Sequence, residues 1–214
     1  LILASLRNLP HEVEQLKQGA WQTTMGTGLR GLTLGIYGLG GIGSLVAQVG
    51  KVFGMKVICW GREASRAKVV TAGYEMPATR ESFFSASDIL SLHIFSNEAT
   101  RGIVTAADLA LMKSTALLVN TSRARLIAEG ALVQALKQGR PGRAAVDVFE
   151  SEPVLGGDHP LLKMPNVICT PHLGYAVTNT FEHLYGAAID SILGFASGNP
   201  VNVLNPEVLQ TKNA

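Results

Sequence analysis

The chain has 214 residues, 47% of them hydrophobic and 16% charged, with a formal net charge of +2. That length and apolar content suit a folded chain with a sizeable core and exclude a disordered one. The small net charge gives no reason to expect nucleic acid or an anionic membrane as partner. No apolar run reaches the ~18 residues of a membrane-spanning helix, and the apolar start at Leu1–Leu6 lacks the flanks of a signal peptide.

In chain order, residues 2–18 have helical spacing that Pro10 should break or restart. Residues 32–37 form a short apolar run ending at glycines, which predicts a strand. Apolar residues at 42, 45, 46, 49, 52 and 53 predict a helix stopped by Gly54. Residues 56–60 read as a strand and 64–71 as a short helix ended by Gly73. Residues 88–94 read as a strand, and 105–112 as a helix with Thr105 as cap and Asp108 in capping-box position. Then come a strand at 116–119, a helix at 128–138 closed by Gly139, strands at 143–148 and 166–170, and an amphipathic helix at 179–196 ending at Gly198. This βαβα alternation with apolar strands predicts an α/β fold, a doubly wound parallel sheet of Rossmann type. Cys59 and Cys169 each sit in a β-like run. Without short spacing they make neither a disulfide framework nor a metal site, so no metal is expected; as buried thiols they suit the cytoplasm.

The turn Gly38-Leu39-Gly40-Gly41-Ile42-Gly43 matches G-x-G-x-x-G between a predicted strand and a predicted helix, the context the motif requires. Gly38 permits the tight turn, Gly40 lets backbone approach a pyrophosphate, and Gly43 lets helix and strand pack closely. The helix N-terminus adds free N–H groups and a partial positive charge. No Lys-Ser/Thr follows, which excludes a P-loop. At the end of the second strand, where an acid would bind the adenosine ribose of NAD, stands Gly61, followed by Arg62 with Ser65 and Arg66 nearby. Losing a carboxylate and gaining guanidinium donors favours a 2′-phosphate, so NADP is expected over NAD. Glu63, close by, leaves NAD open.

The ordered blocks Gly35–Gly43, Asp88–His93, Val119–Arg123, Asp147–Pro153 and Asn166–Gly174 resemble the D-isomer specific 2-hydroxyacid dehydrogenase family over essentially the whole chain. The resemblance implies a catalytic Arg, Glu and His at Arg123, Glu152 and His172. It also implies an oxidoreductase moving a hydride between NAD(P)H and a small 2-oxo or 2-hydroxy acid, with glyoxylate or hydroxypyruvate as the guessed substrate. The residue chemistry agrees. Histidine's ordinary pKa near neutrality suits an acid/base, a carboxylate would fix its tautomer, and a guanidinium would clamp the substrate carboxylate. Glu152 is preferred to Glu150 because the family's acid directly precedes the proline. Asp147 resembles the residue that binds the nicotinamide carboxamide, and Thr121 and Ser122 resemble those whose backbone lines the cofactor groove. His93 reads as structural. Ile94-Phe95-Ser96 replaces a stretch where the family often has proline, and Arg125 stands where it often has glycine.

The resemblance further divides the chain into a linker and interface helix at 1–24, a Rossmann domain at 25–174, and a C-terminal return segment of the substrate domain at 175–214. The first part of that substrate domain is not matched. The chain is therefore expected to be an incomplete form that exposes apolar surface on its first and last helices, binds cofactor and turns over poorly; the full-length form is expected to be a homodimer. Two other readings stand beside the enzyme: a fragment that binds cofactor without turnover, and a corepressor-like NAD-sensing protein.

Overall fold

A computed structural model describes residues 1–213. Six strands, β1 (Thr33–Tyr37), β2 (Lys56–Trp60), β3 (Ile89–Leu92), β4 (Leu117–Asn120), β5 (Arg143–Val146) and β6 (Val167–Cys169), run parallel. Their order is β2-β1-β3-β4-β5-β6, the doubly wound sheet expected from the alternation. Beyond β2, Glu75 adds a single parallel bridge to Ile58.

The strands are apolar throughout because both faces are covered. Along β3, Ile89 joins one buried cluster while Leu90 and Leu92 join the other, the period-two alternation of a strand. Fully burying a Leu or Phe side chain is worth about 1.5–3 kcal/mol. Phe83, Phe84, Leu90, Leu92, Leu117 and Leu118 are all below 2% exposed, so the core sits on the sheet and the segment packed against it.

The helices differ from expectation in instructive ways. Residues 2–18 split into α1 (Ile2–Leu6) and α2 (Leu9–Lys17), with Asn8 in left-handed conformation between them and Pro10 in the first turn of α2. Helix α3 (Gly41–Val52) follows the glycine turn, and α4 (Arg66–Thr71) is preceded by a 3-10 turn at Glu63–Ser65. Helix α5 (Arg80–Ala86) has no counterpart among the predicted elements. Its capping box runs through Thr79 and Ser82 rather than an acid, a weaker sequence signal. Helix α6 (Ala106–Ala110) has the expected Thr105/Asp108 box. Helix α7 (Ala131–Lys137) starts later than expected because Gly130 caps it at φ 68°.

Contacts divide the described residues into two compact units, Leu1–His172 and the segment from Leu173 onward. The second contains α8 (Thr178–Ala196), which buries none of its residues; Leu184, Tyr185, Ile192 and Phe195 are all exposed. Helix α2 likewise buries none. Among the described residues no helix is long and apolar enough to cross a membrane, and no group of three His, Cys, Asp or Glu could hold a metal ion.

Candidate active site

The sheet reverses its winding at β1. The chain leaves β1 for β2 on one side and returns to β3 on the other, so the loops after β1 and β3 diverge and open a crevice at the strands' C-terminal ends. A groove of about 400 Å³ lies there, between Gly40–Ile42 on one side and His93–Ser96 and Thr121–Arg123 on the other.

The glycine turn is built as its spacing requires. Gly38 has φ 98°, and a Cβ there would lie 2.6 Å from the His93 carbonyl oxygen. Gly43 is buried, and a Cβ there would lie 2.2 Å from the Gly38 carbonyl oxygen. At Gly40 and Gly41 a Cβ would meet nothing within 4 Å, so the turn faces open space. No side chain caps α3 at its Gly40 N-cap. Backbone N–H groups and the helix dipole thus meet an open, side-chain-free cradle, which fits a dinucleotide pyrophosphate.

The loop after β4 forms the far wall. Asn120, 1% exposed, ends an otherwise apolar strand. Its Oδ1 accepts from the Ser122 N–H at 3.1 Å and its Nδ2 donates to the Arg123 carbonyl at 2.9 Å. Ser122 Oγ donates to the Ile94 carbonyl at 3.1 Å, tying this wall to the loop after β3. Thr121 and Arg123 are exposed. The buried Asn120 was not singled out from sequence; an Asn closing an apolar strand is the signal that marks it.

His172 Nδ1 donates to Glu152 Oε2 at 2.6 Å, and the Phe149 N–H donates to Glu152 Oε1 at 2.8 Å. Both carboxylate oxygens are engaged, which orients the acid. The bond from His172 comes first among the causes that hold the Glu152 carboxyl below its ordinary value; the Phe149 N–H and the charge of Arg123 push the same way against partial desolvation. Arg123 lines the groove, and its charge also acts on Glu152. Its own Nη1 donates to the Ser122 carbonyl at 2.6 Å. His172 sits at φ 53°, in the left-handed region. Histidine visits it more readily than most residues, yet such conformations gather at functional sites.

The other expected site residues fall around this centre. Asp147, 4% exposed, follows β5 and accepts from Thr170 Oγ1; it is not among the residues lining the groove. Arg62 is exposed just past β2. Glu63, the rival for the ribose, is paired with Arg66 at 2.7 Å. His93 bonds Ser91 Oγ at 2.9 Å, and burial pushes its pKa down to about 4, so it is neutral at physiological pH.

A glycine turn at the switch point of a parallel sheet, facing a basic loop across a groove, defines a dinucleotide-binding α/β protein. The family model of the D-isomer specific 2-hydroxyacid dehydrogenase NAD binding domain matches residues 1–174. The chain belongs to the D-isomer specific 2-hydroxyacid dehydrogenase family. It is 39% identical to the glyoxylate reductase of Aeropyrum pernix over 99% of this chain and 66% of that protein. It superposes on the crystal structure of phosphoglycerate oxidoreductase from Vibrio cholerae with TM-score 0.87 and 50% identity, covering 92% of this chain and 64% of that one. It also superposes on an acyclic imino acid reductase in complex with NADPH and D-Arg, with TM-score 0.78 and 31% identity, covering 95% and 64%. The chain spans just under two thirds of the length of these relatives.

Proposed function

We propose that the protein is an oxidoreductase acting on CH–OH donors, transferring a hydride between NAD(P)H and a small 2-oxo or 2-hydroxy acid. The observation that carries the reading is the His172–Glu152 pair, 2.6 Å apart, in the same compact unit as the glycine-turn groove that Arg123 lines. A bound nicotinamide supplies or accepts the hydride. Arg123 binds the substrate carboxylate and polarises the carbonyl. Glu152, held by Phe149, fixes the His172 ring through Nδ1, so Nε2 gives the proton to the carbonyl oxygen in reduction and takes it in oxidation. The backbone of Gly40–Gly43 holds the pyrophosphate, that of Thr121 and Ser122 lines the groove, and Asp147 holds the carboxamide.

NADP is the proposed cofactor. Gly61 replaces an acid, Arg62 is exposed beside it, and Glu63 is engaged by Arg66. A relative that binds NADPH supports this choice. Glyoxylate or hydroxypyruvate is the proposed substrate, supported by the glyoxylate reductase relative. Residues 1–24, 25–174 and 175–214 are proposed as interface helix, cofactor domain and return segment of the substrate domain. The exposed apolar residues of α2 support a homodimer in the full-length form, and the two free thiols suit the cytoplasm. Because the groove lies within Leu1–His172, cofactor binding is expected from the 214-residue chain itself. Fluorescence titration with NADPH and NADH, followed by a panel of 2-oxo acids read at the nicotinamide absorbance band, tests the reading. A chain that binds neither nucleotide would overturn it.

A further inference from the structure

Residues His93–Ser96 form one lip of the groove and run on into the turn to Arg101; the sequence departs from the family pattern at Ile94–Ser96 and at Arg125, and the two departures meet in space. Phe95, at the top of the lip, is 81% exposed. Part of the lip holds itself: Asn97 and Thr100 cap each other, with Thr100 N donating to Asn97 Oδ1 at 3.1 Å and Asn97 N donating to Thr100 Oγ1 at 2.8 Å. Thr100 Oγ1 also lies 2.9 Å from the Phe95 carbonyl, to which it donates. These bonds close a local turn but do not anchor it to the sheet.

Ser122 holds the lip at Ile94; beyond it the side-chain anchor comes from Arg125. Its Nε donates to Ser96 Oγ at 2.8 Å, Nη2 reaches the Ser96 carbonyl at 3.4 Å, and Nη1 lies 3.5 Å from Glu98 Oε1. The backbone that carries Arg125 is itself fixed. It lies in a 3-10 turn, Ala124–Leu126, whose outer residues are buried, Leu126 fully so. The Arg125 carbonyl accepts from the Gly102 N–H at 2.8 Å and the Leu126 carbonyl from the Val104 N–H at 2.9 Å. A planar guanidinium on a core-anchored turn thus grips both the side chain and the backbone of Ser96. Only arginine has the fork to do so.

We propose that Arg125 is a positioning residue for the cofactor groove: its fork onto Ser96 pins the Phe95–Glu98 part of the lip at the distance from the glycine turn that a dinucleotide needs. This rests on the reading that the groove takes a nicotinamide nucleotide. Fixing the lip beforehand lowers the ordering cost of binding. The bonds are charge-assisted but half-exposed, so their loss is worth a modest factor rather than the whole affinity.

The test is a set of titrations with NADPH and NADH on the 214-residue chain and its variants, with melting temperature measured on the same samples. Arg125→Ala and Ser96→Ala are each expected to raise the Kd for the bound nucleotide about three- to ten-fold, with melting temperatures near that of the parent chain. The double variant is expected to bind no more weakly than Arg125→Ala alone, because both changes remove the same bond. Arg125→Lys keeps the charge and loses the fork, and is expected to bind like Arg125→Ala. Full affinity in Arg125→Lys, full affinity in Ser96→Ala, or additive losses in the double variant would each overturn the brace and make Arg125 a plain charge for the phosphates. A parent chain that binds neither nucleotide overturns the cofactor reading itself, whereas variants that all bind like the parent overturn only the role of Arg125.

Discussion

Two glycines of the same turn should respond to alanine in opposite ways. At Gly38 the backbone has φ 98°, beyond the left-handed well that other residues tolerate. Holding a non-glycine residue there costs about 1–3 kcal/mol. The new Cβ would also lie 2.6 Å from the His93 carbonyl oxygen and 2.9 Å from its carbon. That contact is with backbone and not with the end of a flexible side chain, so relieving it means shifting the loop after β3. Overpacking of this kind costs a further 1–3 kcal/mol or so, so Gly38→Ala should lose about 2–6 kcal/mol out of a typical 5–15. At Gly40 the backbone has φ −84° and ψ −161°, which alanine adopts freely, and its Cβ meets nothing within 4 Å. Gly40→Ala should therefore change stability by less than about 1 kcal/mol. Its methyl would instead occupy the space a pyrophosphate approaches, weakening nucleotide binding by about tenfold or more. Urea unfolding followed by tryptophan fluorescence, with m of about 1–3 kcal/mol per molar, should show a midpoint lowered by about 1 M or more for Gly38→Ala and unchanged for Gly40→Ala. An unshifted midpoint in Gly38→Ala, or parent-like NADPH affinity in Gly40→Ala, would refute the geometry argued for the turn.

Glu152→Gln should lower turnover of a 2-oxo acid by about a hundredfold with nucleotide affinity unchanged; equal kcat would remove Glu152 from the mechanism. Because the folded Glu152 carboxyl is held below its unfolded value, its stabilisation is present above the ordinary glutamate pKa of about 4.3. It disappears as pH falls through the lower folded value. At Asp108, burial raises the pKa, but the bonds from Arg80 at 2.7 Å and from Thr105 outweigh it and the net shift is downward. Asp108→Asn removes the counter-charge of a partly buried guanidinium, which keeps Tyr37 Oη and the Ile103 carbonyl as partners, and should cost about 3 kcal/mol, with a shallower acid limb in unfolding; an acid limb as steep as the parent's would count against the pair. His93 is depressed to about 4 by burial. The unfolded chain takes up a proton near pH 6.5 and the folded one does not until about 4, so stability should fall across that window by up to about 3 kcal/mol. Urea midpoints at pH 7.5 and 5 should converge on those of His93→Gln at the lower pH relative to the higher. Parallel curves would show that His93 protonates freely in the folded state.

The fold class was readable because periodicity and turn chemistry are local. The apolar runs of β1 to β6, the glycine turn and the Thr105 box each carry their signal within a few residues. Helix α5 escaped notice because its cap uses Ser82, and strand β3 stops at Leu92 because the chain must turn to put His93 against Gly38. Order along the chain likewise nominated Arg123, Glu152 and His172, but it could not state that Glu152 and His172 bond. Glu152 and His172 are twenty positions apart and joined by one bond, and the charge of Arg123, at a different strand end, acts on Glu152. The tie from Ser122 to Ile94 and the grip of Arg125 on Ser96 were equally hidden, since each joins loops that only the sheet brings side by side. Sequence by itself determined which segments would be strands and helices and which residue types were available for chemistry. Tertiary structure alone decided which side chains share a site, because hydrogen bonds and charges act over a few ångströms of space, whatever the separation in chain.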